Sequence, residues 1–362
     1  MGQRPRDAAG ERNMWTREPI MESRERVKRA LEFSGPDRAP RDLWYLPGVG
    51  FERMDELDEL LTAYPMDIVR APAPYQPSKR AQGSPNRPGT YKDEWGCAWR
   101  ITEPGVIGEV THPPLLNWEA LERWTPPYDL FERARWDEVD EFCRASKEFT
   151  VMPTEIRPFE RVQFLRGAQN AFIDLLELSP EFLELRKRVH EWNLASVEKW
   201  METRVDALYF CDDWGGHSGL VVDPDLWREL YKPLYKEYCD LAAAKGKYVF
   251  MHSDGAAGAI MEDLVEIGVH AFNTEIFAMD ISALAEQFKG RITLWGEIDR
   301  QYLLPFGSPD EIRKAVLRVR EAFDDGRGGL IAQCEWGNRD PKENIEAVYQ
   351  AWLEPSKAAG AA

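Results

Sequence analysis

The chain is short of positive charge. Its 362 residues carry 46 Lys and Arg against 63 Asp and Glu, a formal net charge of -17. Non-specific nucleic-acid binding relies on basic surface, so that function class is excluded. An anionic membrane surface is disfavoured for the same reason. A basic pocket inside an acidic shell remains compatible with these counts. Cysteine is sparse too: five residues without paired spacing, which points to free thiols in a reducing cytoplasm and not to a disulfide framework. No apolar run opens the sequence, so neither a signal peptide nor a membrane anchor is expected. No Gly-rich phosphate fingerprint follows an early strand, as a dinucleotide-binding sheet would require. Tryptophan, by contrast, is abundant at 14 residues. Trp95, Trp99, Trp214 and Trp336 stand in loop-like contexts. They either line a pocket or fill core.

Residues 1–21 are polar and Arg-containing and read as a flexible tail. Residues 22–355 read as one unit. The periodicity predicts a helix over 22–33, stopped by Gly35-Pro36-Asp37. A short strand at 43–46, a helix at 52–63 and a strand at 66–69 follow. The Pro- and Gly-rich stretch 71–115 reads as an excursion with a hairpin that covers one end of the fold. From 149 onward the pattern is regular: a short apolar strand near 149–153, then five consecutive strand–loop–helix units with strands near 207–211, 248–251, 271–273, 292–295 and 330–333. One long helix is expected over 224–244. Continuous apolar strands imply a parallel sheet buried on both faces. Such alternation fits a barrel or a doubly wound sheet. Polar residues follow many different strands, which favours a (β/α)8 barrel with its site at the strand ends.

Those strand ends carry the chemistry. Buried carboxylates and imidazoles cost free energy unless paired or ligated. His252, Asp254, Glu275 and Cys334 form one constellation, and a thiolate, an imidazole and carboxylates are what zinc prefers. A buried thiol beside an ion-paired carboxylate cluster accounts for the same residues. Asp212, Asp213 and His217 form a second, with Glu297 and Asp299 nearby in topology. Neighbouring carboxylates can hold one raised pKa and act as a general acid, or orient a ligand histidine. One of Asp212 and Asp213 is expected to cap backbone amides instead. A third set is Glu155, Arg157 and Arg161, where an arginine either pairs a substrate carboxylate or makes a surface salt bridge. His112, His190 and His270 read as structural or exposed. Cys97, Cys143, Cys211 and Cys239 read as packing residues.

Several segments together resemble the uroporphyrinogen decarboxylase superfamily. They are Arg26-Val27 through Pro36-Asp37-Arg38-Ala39-Pro40, Asp212-Asp213-Trp214-Gly215, Pro224 through Trp227 to Tyr231-Lys232-Pro233, His252-Ser253-Asp254-Gly255, Gly296-Glu297-Ile298-Asp299 and Pro341-Lys342-Glu343-Asn344-Ile345. The resemblance implies a single-domain (β/α)8 barrel. True uroporphyrinogen decarboxylases carry an Arg-containing segment near the start, where this chain has Asp42-Leu43-Trp44-Tyr45-Leu46-Pro47. Its absence argues against a tetrapyrrole substrate. The corrinoid-linked, zinc-dependent methyltransferase branch is more similar. It carries His-x-Cys and a distant Cys before Pro-x-Glu-Asn, which His252 and Cys334 match and Asp254 does not. Glu275 falls where a carboxylate ligand stands in the related cobalamin-independent methionine synthase.

The resemblance therefore implies a zinc site at His252, Glu275 and Cys334, with Asp254 as a further candidate ligand. Asp212, Asp213, His217 and Arg157 are the expected catalytic groups. Glu155, Trp214, Trp336 and Glu297 are the expected substrate contacts. The implied activity moves a methyl group between a small substrate, a thiol or an aromatic methyl ether, and a corrinoid on a partner protein docked over the barrel mouth. Two alternatives stay open: a decarboxylase of a smaller acid, and a corrinoid- or tetrapyrrole-binding protein.

Overall fold

The computed structural model describes residues 21–85, 87–106 and 108–355. The tail expected over 1–21 lies, but for Met21, outside the described residues. Eleven strands run in chain order: β1 (Arg41–Tyr45), β2 (Ile68–Arg70), β3 (Gly89–Lys92), β4 (Ala98–Ile101), β5 (Glu109–His112), β6 (Phe149–Val151), β7 (Ala207–Cys211), β8 (Tyr248–His252), β9 (Ala271–Asn273), β10 (Thr293–Trp295) and β11 (Leu330–Trp336). Eight of them form one parallel sheet in the order β1-β11-β10-β9-β8-β7-β6-β2. The Asp67 amide donates to the Arg41 carbonyl at 2.8 Å and brings the two ends together. This is a (β/α)8 barrel. β6, β7, β9 and β10 are buried along their whole length, as a sheet covered by helices outside and side chains inside demands.

The antiparallel trio β3-β4-β5 is the expected excursion. Its β4–β5 loop reaches the strand-end side of the barrel, where the Gly105 carbonyl accepts from the Gly48 amide at 3.3 Å and from Asn338 Nδ2 at 3.0 Å.

Helix starts follow local chemistry. Ser179 and Asp223 cap helices that begin with Pro180 and Pro224, and Ser308 with Glu311 forms a capping box. The one helix expected over 224–244 is two, Pro224–Leu230 and Lys232–Ala244. Pro233 lacks the amide that would continue the first helix, and its ring crowds the carbonyl four residues back.

The N-terminal segment that carries part of the family resemblance is structural. Asp67 is fully buried and accepts from Arg26 at 2.6 Å, from Arg38 at 2.7 Å and from the Arg41 amide at 2.7 Å. Asp37 closes the network on Arg26 at 2.5 Å. This buried network ties the Ser23–Leu31 helix to the starts of β1 and β2. No helix among the described residues is long and apolar enough to cross a membrane.

Candidate active site

The barrel encloses a cavity of about 940 Å³. Alternation along β7 decides which of its residues reach that cavity. Tyr209, Cys211 and Asp213 line it. Phe210 points outward and stacks on Tyr235 of the surrounding helices. Asp212 also points outward. Its carboxylate accepts from the amides of Phe159 and Glu160, each at 2.7 Å, and from Tyr235 Oη at 2.5 Å. It thus caps the Pro158–Arg166 helix from outside that helix. Burial raises its pKa well above the usual carboxylate range, and the neighbouring Glu160 adds to the rise. Of the two aspartates, Asp212 is the cap. Asp213 is the group in the cavity, where it accepts from the Asp254 amide at 2.9 Å.

His252 closes β8. Its Nδ1 meets Asn273 Oδ1 at 2.5 Å. Asn273 spends its own Nδ2 on the Trp295 carbonyl at 2.5 Å and on Gln333 Oε1 at 3.1 Å, which fixes the amide orientation. His252 therefore carries its proton on Nδ1 and presents Nε2 to the cavity. Nε2 lies 3.0 Å from Asp254 Oδ1 and 3.6 Å from Asp213 Oδ1. Burial disfavours a charged imidazole, but Asp254, Asp213 and Glu297 outweigh it and raise the His252 pKa to about 9, so Nε2 also carries a proton at neutral pH, one that a bound metal would displace. Burial likewise raises Asp254, yet His252 and Arg300 prevail and hold it at about 2.

One ligand atom each from Cys211, Asp213 and His252 lies within 4.8 Å of the others. A sulfur, an oxygen and an imidazole nitrogen whose tautomer is already fixed make a donor set that fits zinc. The thiol differs from the expectation. Cys334 is fully buried, but its Sγ turns outward to Tyr349 Oη at 3.8 Å, and burial raises both its thiol and that of Cys211 above the usual value, so position and not acidity separates them. On β11 it is Gln333 and Glu335, on either side of it, that face inward. The period of two along a strand sends Cys334 away from His252. Cys211, read from sequence as packing, occupies the cavity instead.

Glu275 does not line the large cavity that His252 lines. It accepts from Arg300 at 3.0 Å and from Gln301 Nε2 at 2.8 Å. With Glu297 and the exposed His217 it lines a side pocket of about 110 Å³. Arg300, which sequence reading passed over, lines both cavities. It contacts Asp254, Glu275 at 3.0 Å, Glu297 at 3.2 Å and Glu335 at 3.1 Å. Burial raises the Glu297 carboxyl to about 8, so it holds a proton at neutral pH despite Arg300. The clue was present: the motif Gly296-Glu297-Ile298-Asp299 runs directly into Arg300, and this many strand-end carboxylates need a counter-charge.

The remaining expectations divide the same way. Arg157 lines the cavity and pairs with Glu160 at 2.8 Å. Glu155 points outward, where its Oε1 accepts from Tyr75 at 3.0 Å, from Trp200 Nε1 at 2.7 Å and from Ser196. Trp214 is fully buried, stacked on Phe159 with ring centroids 4.1 Å apart, and donates to Tyr235 Oη at 2.8 Å. Trp336 is fully buried beneath Arg53 and donates to the Asp340 carbonyl at 3.1 Å. Both are packing residues and not substrate contacts, because the residues before them take the inward face. The aromatic residues at the cavity are Trp44, Tyr45 and Tyr209, with Arg70 among them.

The uroporphyrinogen decarboxylase (URO-D) family profile matches residues 93–353, more than half of the chain. A uroporphyrinogen decarboxylase of Xanthomonas euvesicatoria pv. vesicatoria is 29% identical over 127 residues, 34% of each chain. One of Xanthomonas axonopodis pv. citri is 27% identical over 156 residues, 42% of each. The chain thus spans between a third and a half of the length of these curated relatives. A methyltransferase from Methanosarcina mazei shares the fold, with a TM-score of 0.69 and 16% identity, covering 91% of this chain and 98% of that one. With its eight-stranded barrel and a family match that takes in every residue of the cavity's metal-fitting group, the chain belongs to the uroporphyrinogen decarboxylase family.

Proposed function

We propose that the protein is a zinc-dependent methyltransferase, moving a methyl group between a small substrate in the barrel cavity and a corrinoid carried by another protein. The observation that carries this reading is the convergence of Cys211, Asp213 and His252 within 4.8 Å inside a large cavity. Zinc held by these three residues supplies a Lewis acid that activates a thiol or polarises an ether oxygen.

The chain's own residues do the rest. Asn273 fixes the His252 tautomer, so that the same nitrogen always faces the cavity. Arg300 neutralises Glu335 and the Asp254 side of the site, which limits the free donors to the metal-fitting group. Glu297 holds a proton at its carboxyl beside Arg300, the residue shared by the side pocket and the cavity, and serves as the candidate proton donor. Buried aromatic surface at Trp44 and Tyr209 lines the space a methyl ether or thioether needs.

A second reading has its own support. Arg157 faces the cavity beside Cys211 and Asp213, which suits a metal-free decarboxylase of a small acid. Metal analysis of the purified protein, followed by a methyl-transfer assay from methyl ethers and thioethers to cob(I)alamin read by its visible spectrum, tests the first reading. The expected result is one zinc per chain, with transfer lost on chelation and restored by zinc. Absence of zinc, with carbon dioxide released from an acid substrate in the presence of chelator, sinks the methyltransferase and leaves the decarboxylase.

A further inference from the structure

Arg70 ends β2 with a cation inside the barrel that the reading above does not use. Its guanidinium carbon lies 5.6 Å from the Trp44 ring centroid, 5.5 Å from Tyr209 and 5.2 Å from Trp295. Three rings therefore hold it in place. Its carboxylate partner is Asp42, at 3.3 and 3.4 Å. These are long contacts for a charge-assisted pair. Asp42 is already committed, since Oδ2 accepts from Trp44 Nε1 at 3.0 Å and from Trp295 Nε1 at 2.8 Å. A guanidinium has five donors, and here most are unspent. The side chain keeps 29% of its surface exposed, and it lines the 940 Å³ cavity.

A second cation joins it. Arg157 and Tyr209 line the same cavity, Tyr209 with the Arg70 guanidinium over its ring and Arg157 with donors left beyond its contact to Glu160 at 2.8 Å. The carboxylates nearest the metal-fitting group do not oppose them, because Asp254 and Glu335 pair with Arg300.

We propose that Arg70, with Arg157 and Tyr209, forms an anchor for the carboxylate of the substrate, so that the cavity takes small carboxylic acids. The inference rests on the methyltransferase reading only for where the reaction occurs. Trp44 relates the two places: its ring makes an edge contact with His252 at 5.1 Å and also lies 5.6 Å from the Arg70 guanidinium. An acid anchored at Arg70 thus meets the Trp44 indole that also contacts His252, which makes an aromatic carboxylic acid the fitting class, with benzoate as its simplest probe.

Calorimetric titration with benzoate and with benzamide tests this, on the full chain, both metal-free and zinc-loaded. Benzoate should bind at least roughly tenfold more tightly than the amide, since the amide lacks the charge. Arg70→Met should weaken benzoate roughly tenfold to a hundredfold and leave benzamide unchanged, whereas Arg70→Lys should fall between. Equal binding of acid and amide, no binding of benzoate, or unchanged benzoate binding in Arg70→Met overturns the anchor. Should Arg70→Met not fold, the Arg70→Lys variant and the acid-to-amide ratio of the unaltered protein decide. Zinc content of the same samples separates the two ideas. An acid-selective, Arg70-dependent site in a protein without zinc keeps the anchor and removes the methyltransferase.

Discussion

Two strand ends in this barrel read almost alike. β7 finishes in Cys211-Asp212-Asp213-Trp214 and β11 contains Cys334-Glu335-Trp336. Each offers a thiol, carboxylate and tryptophan, yet only one thiol reaches the cavity. At β7 the inward residues are Cys211 and Asp213, and the outward Asp212 is fastened to a helix N-terminus. At β11 the inward residue is Glu335, and Cys334 packs on Tyr349. The two motifs sit one residue out of phase with respect to the barrel wall. Composition at a strand end names the available chemistry, but the phase of the strand selects which part of it faces the substrate.

The largest effect that tests the contrast is on metal binding. Cys211→Ser should lower zinc affinity by about a hundredfold or more, since even partners of ligands are worth ten to a hundredfold. Cys334→Ser should leave zinc stoichiometry unchanged. Equilibrium dialysis against a zinc indicator reads both. The reverse outcome, zinc lost with Cys334 and kept with Cys211, would mean that the β11 end turns inward when metal binds.

The neighbouring aspartates give the same contrast in stability. Asp212→Ala leaves two backbone amides and the Tyr235 hydroxyl proton without an acceptor in the core and should cost about 3–5 kcal/mol. Asp213→Ala, at the cavity wall, should cost less than about 1 kcal/mol and impair zinc binding instead. Urea denaturation of the two variants checks this. Comparable losses of stability would erase the distinction between cap and cavity group.

The barrel was legible in the sequence because six of its strands are short apolar runs followed by breakers and amphipathic helices, and such patterns survive without knowledge of tertiary contacts. His252 and Asp213 were legible as strand-end polar residues. Cys211 was not, because a thiol inside an apolar run looks like packing, and only the sheet register reveals that it shares a face with Asp213. Trp214 and Trp336 misled because an indole beside a Gly suggests a loop, whereas here each plugs a gap between strand and helix. Arg70 and Arg300 escaped notice because an arginine at the end of a short strand looks like a surface residue until the rings and carboxylates around it are known. Phase and partner are three-dimensional facts, and both were the missing information.

The loop after β6 repeats the contrast on a smaller scale and gives it a pH signature. Arg157 faces the cavity, while Glu155, two residues earlier, faces the helices. Burial raises the Glu155 carboxyl to about 7 against the usual 4.5, although Ser196, Trp200 and Tyr75 pull it back. A carboxyl raised on folding favours the protonated chain, so its cost is absent below the unfolded value and grows as pH rises through the folded one. The protein should therefore lose stability between about pH 4.5 and 7 on this account, by about 3 kcal/mol. Glu155→Gln removes the titration and keeps the acceptor, because all three donors converge on Oε1, which the amide oxygen replaces. The variant should match the parent near pH 4.5 and exceed it above pH 7 in thermal denaturation. Parallel pH profiles for the two proteins would show that Glu155 is solvated like a surface group, and that the outward side of this loop is not the dry side.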